Sequence, residues 1–188
     1  MKKYINISII LLCIICTTAI HAQRMLPRQK ALELNIGSLT QEQLSRNYYI
    51  QLGFLVFGKN GNHQLWSVEF NNESSLYYST RIPIMSVLAE GGYSLRLWAD
   101  PGRNITFNAA FTAAGGYETF NAGKKTLMDG STLRNQDSFI YGGAGRLSVD
   151  TYLSDHIVLL VQGRLKALWG TSREHLRPSL GIGIRYNF

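Results

Sequence analysis

From about residue 31 to the C-terminus, hydrophobic and polar residues alternate in steps of two, in runs of roughly ten separated by turn-forming residues. The last run is the most regular. Leu180, Ile182, Ile184, Tyr186 and Phe188 share one face, and Ser179, Gly181, Gly183, Arg185 and Asn187 share the other. Period two is the signature of a strand, and about 9–11 residues is the length a tilted transmembrane β-strand needs. The rest of the chain reads as the strands that close against this one.

Seven earlier runs have the same form. The first sets Leu32, Leu34 and Ile36 against Glu33, Asn35 and Gly37. The second, Tyr48 to Phe57, sets Tyr48, Ile50, Leu52, Phe54 and Val56 against Gln51 and Gly53, and Asn60-Gly61 marks a tight hairpin. The third starts near Gln64, turns polar over 71–75 and becomes aromatic again at Tyr77-Tyr78; the fourth answers from Ile82 to Trp98. Both exceed a membrane crossing, which predicts a hairpin that projects beyond the bilayer. After Asp100-Pro101-Gly102, the fifth alternates from Ile105 to Ala113. A loop of about Thr119 to Asp137 leads to the sixth, Ser138 to Tyr152, and the seventh, His156 to Trp169.

The connections alternate long and short. Outer-membrane barrels show that asymmetry, with short turns on the periplasmic side, so both termini are expected in the periplasm. The predicted fold is all-β: an eight-stranded antiparallel up-and-down transmembrane β-barrel over residues 31–188.

A soluble lipocalin-like barrel shares the alternation with its apolar face turned inward. Three features favour the membrane form. The polar face is rich in small residues (Gly37, Gly53, Gly92, Ala110, Thr112, Gly181, Gly183), which suits the narrow bore of eight strands. Aromatics gather near the strand ends: Tyr48, Tyr77, Tyr117, Tyr141 and Trp169 toward the long loops, Trp66, Tyr186 and Phe188 toward the other end. The chain also carries an export signal and ends on an aromatic. A closing strand of this kind resembles the insertion signal of outer-membrane β-barrels, and Gly183, Tyr186 and Phe188 are its candidate residues. On this reading Glu33, Glu69, Glu90, Arg96, Arg146, Asp150, Arg164, Lys166 and Arg185 face the lumen. Unpaired charge is costly there, so acids and bases are expected to pair in a polar network.

Residues 1–22 read as a secretory signal peptide, with Lys2 and Lys3 before the apolar stretch Ile5 to Ile15 and a cleavage site after Ala22. Both cysteines, Cys13 and Cys16, lie within it, so the mature chain holds no disulfide. Cleavage takes the formal net charge from +7 to +5. Residues 23–30 form a short basic lead-in, expected to be extended and periplasmic. The bases form no patch, so no direct nucleic-acid binding is expected.

No catalytic, metal or cofactor constellation emerges. His63, His156 and His175 show no ligand spacing. Ser154-Asp155-His156 is a turn whose consecutive residues cannot align as a relay, and Gly142-Gly143-Ala144-Gly145 opens no helix. A non-enzyme without cofactor is the expectation.

The signal ending His21-Ala22-Gln23, the lead-in Arg24-Met25-Leu26-Pro27-Arg28-Gln29-Lys30 and the glycine-spaced closing strand together resemble the TraO family of conjugative-transposon transfer proteins. The resemblance implies a part in anchoring or assembling the mating apparatus at the outer membrane of a Gram-negative cell. Its implied contacts are outer-membrane lipid, the barrel-assembly machinery and other conjugation proteins. Arg24, Arg28 and Lys30 are partner-binding candidates, beside the hairpin 63–98 and the loop 119–137. The alternatives are a general small barrel for adhesion or membrane stabilisation and a lipid-modifying barrel enzyme.

Overall fold

The structure is a computed structural model that describes residues 26–39, 47–77, 80–123 and 137–188, with side chains at 75–81 and 122 left aside. The predicted signal peptide and Arg24 lie outside the described residues. Eight strands follow one another: β1 (Lys30–Leu39), β2 (Tyr48–Phe57), β3 (His63–Tyr77), β4 (Thr80–Ala99), β5 (Ile105–Phe120), β6 (Ser138–Tyr152), β7 (Ile157–Trp169) and β8 (Leu176–Asn187). Each pairs antiparallel with the next, and β8 pairs back with β1 to close the barrel. Closure leaves no strand edge with unpaired amides, which a membrane demands.

Local chemistry sets the short turns. Lys59–Gly61 is a single 3-10 turn in which Asn60 (φ 61°) and Gly61 (φ 78°) take the left-handed backbone these residues tolerate. In the next hairpin the Asp100 carboxylate accepts from the Ile105 N–H at 2.8 Å.

Two strands run further than the hydrophobic pattern suggests. The polar stretch 71–75 does not break β3: Asn71 pairs with Ser86 and Glu73 with Ile84, so the ladder continues to Tyr77. Likewise β5 passes through Ala114-Gly115-Gly116 to Phe120, with Leu88 opposite Gly116 and Ser86 opposite Glu118. Beyond the bilayer an outward face has no need to be greasy, so apolar periodicity stops before the strand does. β4 also bulges between Arg96 and Trp98, which puts Leu97 and Trp98 both on the exposed side.

Burial is inverted relative to a water-soluble protein. Leu52 and Ile182 are 58% and 60% exposed, while Glu69 and Arg185 are 0% and 1% exposed. Among the described outward strand positions, those from Leu32 to Tyr186 carry no formal charge. A continuous apolar wall of this extent belongs in lipid. The soluble alternative, with its apolar face inside, has the opposite polarity.

Candidate functional site

The lumen is built in layers, each set by one inward step along the strands. At the end holding both termini, Ala31, Leu55, Phe57, Leu65, Tyr152 and Val158 form an apolar layer. The next inward positions carry charge. Glu33 Oε1 accepts from Arg146 Nη1 at 2.8 Å, Glu33 Oε2 from Arg185 Nη2 at 2.7 Å, and Asp150 Oδ2 from Arg185 Nη1 at 2.8 Å. Asn35 donates to Glu33 at 2.7 Å and Ser148 to Asp150 at 2.9 Å, so neighbouring polar side chains hold the carboxylates in place.

A belt of neutral polar groups follows. Asn35 donates to Gln51 at 3.1 Å, Gln51 to Ser67 at 2.9 Å and Gln162 to the Tyr49 hydroxyl at 3.0 Å. Tyr49 fits because Gly37 and Gly181 face each other on β1 and β8. A Cβ on Gly181 would lie 2.0 Å from the Tyr49 hydroxyl oxygen. The Arg164 guanidinium lies 5.3 Å from the centre of the Tyr49 ring and opens a second charged layer. Arg164 bridges Glu69 and Glu90, the latter at 2.6 Å, while Lys166 pairs with Glu69 and stands 3.6 Å from Glu90. Thr112 donates to Glu90 at 3.2 Å.

Leu88, Ala114, Ile140 and Leu168 then close a second apolar layer. Beyond it, at the long-loop mouth, the β7–β8 connection folds inward. Arg177 Nη1 donates to Glu118 at 2.7 Å, Arg173 pairs with Glu73 and stands 3.9 Å from Glu118, and Thr171 donates to Glu118 at 2.5 Å. Burial weighs against the Arg173 charge, yet Glu73 and Glu118 hold its pKa above the ordinary guanidinium value.

Each charged layer is a quartet of two acids and two bases, so each is neutral. Together they hold six of the chain's 12 acidic residues. Ions buried this deeply are tolerable only when paired and further hydrogen-bonded. What the arrangement does is fix strand register and fill the bore. With two apolar layers between and beneath the quartets, it offers no wide polar passage.

Eight of the nine predicted lumen residues fall into the first two quartets. Arg96 keeps the inward parity of Glu90 and Ser94 but sits half-buried at the β4 bulge. The third quartet was not anticipated. Glu73 lies in the polar stretch 71–75 of the third strand, Glu118 beyond the alternation that ends at Ala113, and Arg173 and Arg177 in the basic loop before the closing strand. The available signal was parity, since Glu73 is an even step from Glu69 and Glu118 from Thr112.

Gly183 faces inward, where a Cβ would lie 1.9 Å from Asn35 Oδ1, and Tyr186 and Phe188 face outward. The lead-in was expected to be extended, but Leu26–Gln29 is a turn closed by Gln29 N–H to Leu26 O at 3.1 Å. Within it Arg28 is exposed, and Lys30 is already the first residue of β1. The histidines serve turns: His156 Nδ1 is 2.8 Å from the Asn187 carbonyl and His175 Nδ1 is 2.9 Å from that of Leu168. Ser154 Oγ accepts from the Ile157 N–H at 3.0 Å. Among the described residues no cluster of His, Cys, Asp and Glu could hold a metal ion.

Residues 26–188 match the family described as conjugative transposon protein TraO. Among solved structures the chain is similar to Ail, the attachment invasion locus protein of Yersinia pestis, at 10% identity and TM-score 0.52, covering 85% of this chain and 97% of that one. It is similar to the N-terminal β-barrel domain of Pseudomonas aeruginosa OprF at 9% identity and TM-score 0.51, covering 86% and 98%. It also resembles Neisserial surface protein A at 13% identity and TM-score 0.50, covering 85% and 95%. At such identities the likeness concerns the fold, that of small outer-membrane β-barrels. No curated protein matches the chain.

Proposed function

The chain belongs to the TraO family of conjugative transposon proteins, and from that membership we propose that it is a non-enzymatic outer-membrane β-barrel that anchors or helps assemble the DNA-transfer apparatus. The observation that carries the reading is the span of the family match, which takes in the whole lipid-facing barrel and the turn that precedes it. Because the bore is filled, the barrel acts as a peg whose working surfaces are its two rims. DNA takes another route.

The closing strand, ending on outward Tyr186 and Phe188, presents itself to the barrel-assembly machinery. The termini then face the periplasm, where the segment 23–30, with Arg24, Arg28 and Lys30, meets other transfer proteins. The described ends of the β3–β4 hairpin and of the loop 119–137 stand on the opposite side.

Deleting the gene tests this role. We expect transfer of the transposon between cells to fall by orders of magnitude, and to return when the intact gene is restored. Transfer at the original frequency in the deletion strain overturns the proposal. Crosslinking from positions 24–30 in intact cells should capture a transfer protein in the periplasm.

A further inference from the structure

The terminus-end rim of the barrel consists of the lead-in turn, the three short hairpins and the C-terminal residue. Among the described residues there, four charged side chains are exposed, and all four are basic: Arg28, Lys30, Lys59 and Arg103. Both acids of this end, Asp100 and Asp155, are half-buried, and the Asp100 carboxylate is engaged with the Ile105 N–H. The C-terminal carboxylate of Phe188 is the remaining anion. Among the described residues of the long-loop end, the exposed charges are Asp137 and Glu174, while Arg173 and Arg177 are drawn into their quartet.

Two of the four cations stand where the backbone asks for glycine. Leu26-Pro27-Arg28-Gln29 is a hydrogen-bonded turn with proline second and Arg28, at φ 72°, third. That third position with positive φ is ordinarily glycine or asparagine. Arg103 has φ 54°, and its N–H is bonded to the Asp100 carbonyl at 2.9 Å. Among the described residues the other non-glycine residues of positive φ are asparagines, which adopt it readily. An arginine in this conformation is strained, by roughly 1 kcal/mol on general grounds. A strained residue that gains nothing in the fold is a pointer to function.

The cations also sit at the edge of the apolar wall. Lys30 occupies an outward row with Leu32 beneath it, and its carbonyl accepts from the Phe188 N–H at 3.0 Å. Lys59 adjoins Gly58, where a Cβ would lie 3.7 Å from the Tyr93 hydroxyl oxygen. Arg103 lies between exposed Trp98 and Ile105. Exposed Leu26 and Leu153 project from the turns themselves. Aromatic, aliphatic and basic side chains interleaved at the rim of a lipid-facing surface match the headgroup region of a bilayer.

We propose that Arg28, Lys30, Lys59 and Arg103 form a binding surface for the phosphates of anionic phospholipids in the leaflet on the terminus side. The cations occupy three of the four corners of the rim, spread as lipids are around a perimeter, and at the lead-in corner Arg28 and Lys30 meet lipid beside the segment 23–30 that is proposed to meet transfer proteins. The inference rests on the barrel's placement in a membrane and is independent of the transfer role.

The test uses the purified barrel in phosphatidylcholine bilayers carrying trace spin-labelled phosphatidylglycerol or phosphatidylcholine. The wild type should associate with the anionic lipid severalfold more than with the zwitterionic one. Near-surface cations contribute about a fivefold factor each at low ionic strength, and the preference should fade toward one as salt shortens the screening length. The variant Arg28→Gly/Arg103→Gly should lose most of the preference while unfolding at higher urea than the wild type, a pairing that a purely structural role does not produce. Should it fail to insert, Lys30→Gln/Lys59→Gln gives the same reading of lipid preference without touching backbone strain. Absence of preference in the wild type, or its persistence in both variants, overturns the proposal. So does a rim blind to lipid charge whose cations are instead needed for crosslinking to a protein.

Discussion

Ile184 and Arg185 are consecutive residues of one strand, yet Ile184 stands on the lipid wall and Arg185 is sealed inside against Glu33, Asp150 and the Phe57 ring. The two faces of the barrel differ in what they demand. The outer face asks only for apolar character, because lipid tails conform to whatever shape is offered. The inner face asks for particular partners, because each luminal ion was taken from water and only a specific counter-ion offsets that loss. Sensitivity to substitution should therefore be high and specific within, and lower and generic without.

The largest effect should come from breaking a quartet. Glu33→Ala removes the carboxylate that Arg146 and Arg185 share and leaves two buried guanidiniums with only Asp150 to answer them. Breaking a buried pair from one side costs about 3–5 kcal/mol, to be read by urea-dependent unfolding in lipid vesicles. Leu34→Ala, one residue along and facing lipid, should cost about 2 kcal/mol or less, since the transfer of its carbons from water is lost but lipid tails leave no cavity. Equal costs at the two positions would break the contrast between the faces.

How much of this is written in the chain depends on the kind of information. Parity places Glu33, Glu69 and Arg164 on the polar face, and the count of alternating runs yields eight strands. Partner choice is another matter. Glu33 meets Arg146 across 113 residues and Arg185 across 152, separations fixed by barrel closure and stagger that no local pattern encodes. The third quartet shows a second limit. Apolar periodicity is a signal from lipid, so where β3 and β5 rise beyond the lipid the signal fades, although Glu73 and Glu118 still obey the inward step. The apolar layers inside the lumen, Phe57 and Leu65 near one end and Leu88 and Ile140 toward the other, were hidden for a related reason. A hydrophobic residue on the polar face reads as noise in a pattern of alternation.

An intermediate effect should follow from charging the wall. Ile182 lies midway along the outward row Leu180 to Tyr186. Ile182→Arg brings a guanidinium into hydrocarbon with no acid on that face to meet it, at a cost of about 2–4 kcal/mol near the bilayer centre. The same substitution at Leu153, in the β6–β7 turn on the rim, should be close to silent in stability. If depth along the wall made no difference, the outer face would not be the lipid contact, and the comparison would fail at its foundation.

The smallest effects sharpen the comparison, because they add one methyl group to each face. On the inner face, a Cβ at Gly181 would lie 2.0 Å from the Tyr49 hydroxyl oxygen and 2.7 Å from the Ile36 carbonyl oxygen. Tyr49 is boxed in by Gln162 and Arg164, and the Ile36 carbonyl is part of the ladder, so neither yields easily. Gly181→Ala should cost about 1–3 kcal/mol, the usual range for overpacking. On the outer face, the nearest group to a Cβ at Gly91 would be the Trp66 ring, at 2.7 Å. Trp66 lies opposite Gly91 in the β3–β4 register with lipid beyond it, so its ring can swing outward into a fluid surrounding. Gly91→Ala should therefore stay within about 0.5 kcal/mol, and a change in tryptophan emission anisotropy would report the movement. Equal penalties at the two glycines would mean that the wall is held as tightly as the lumen.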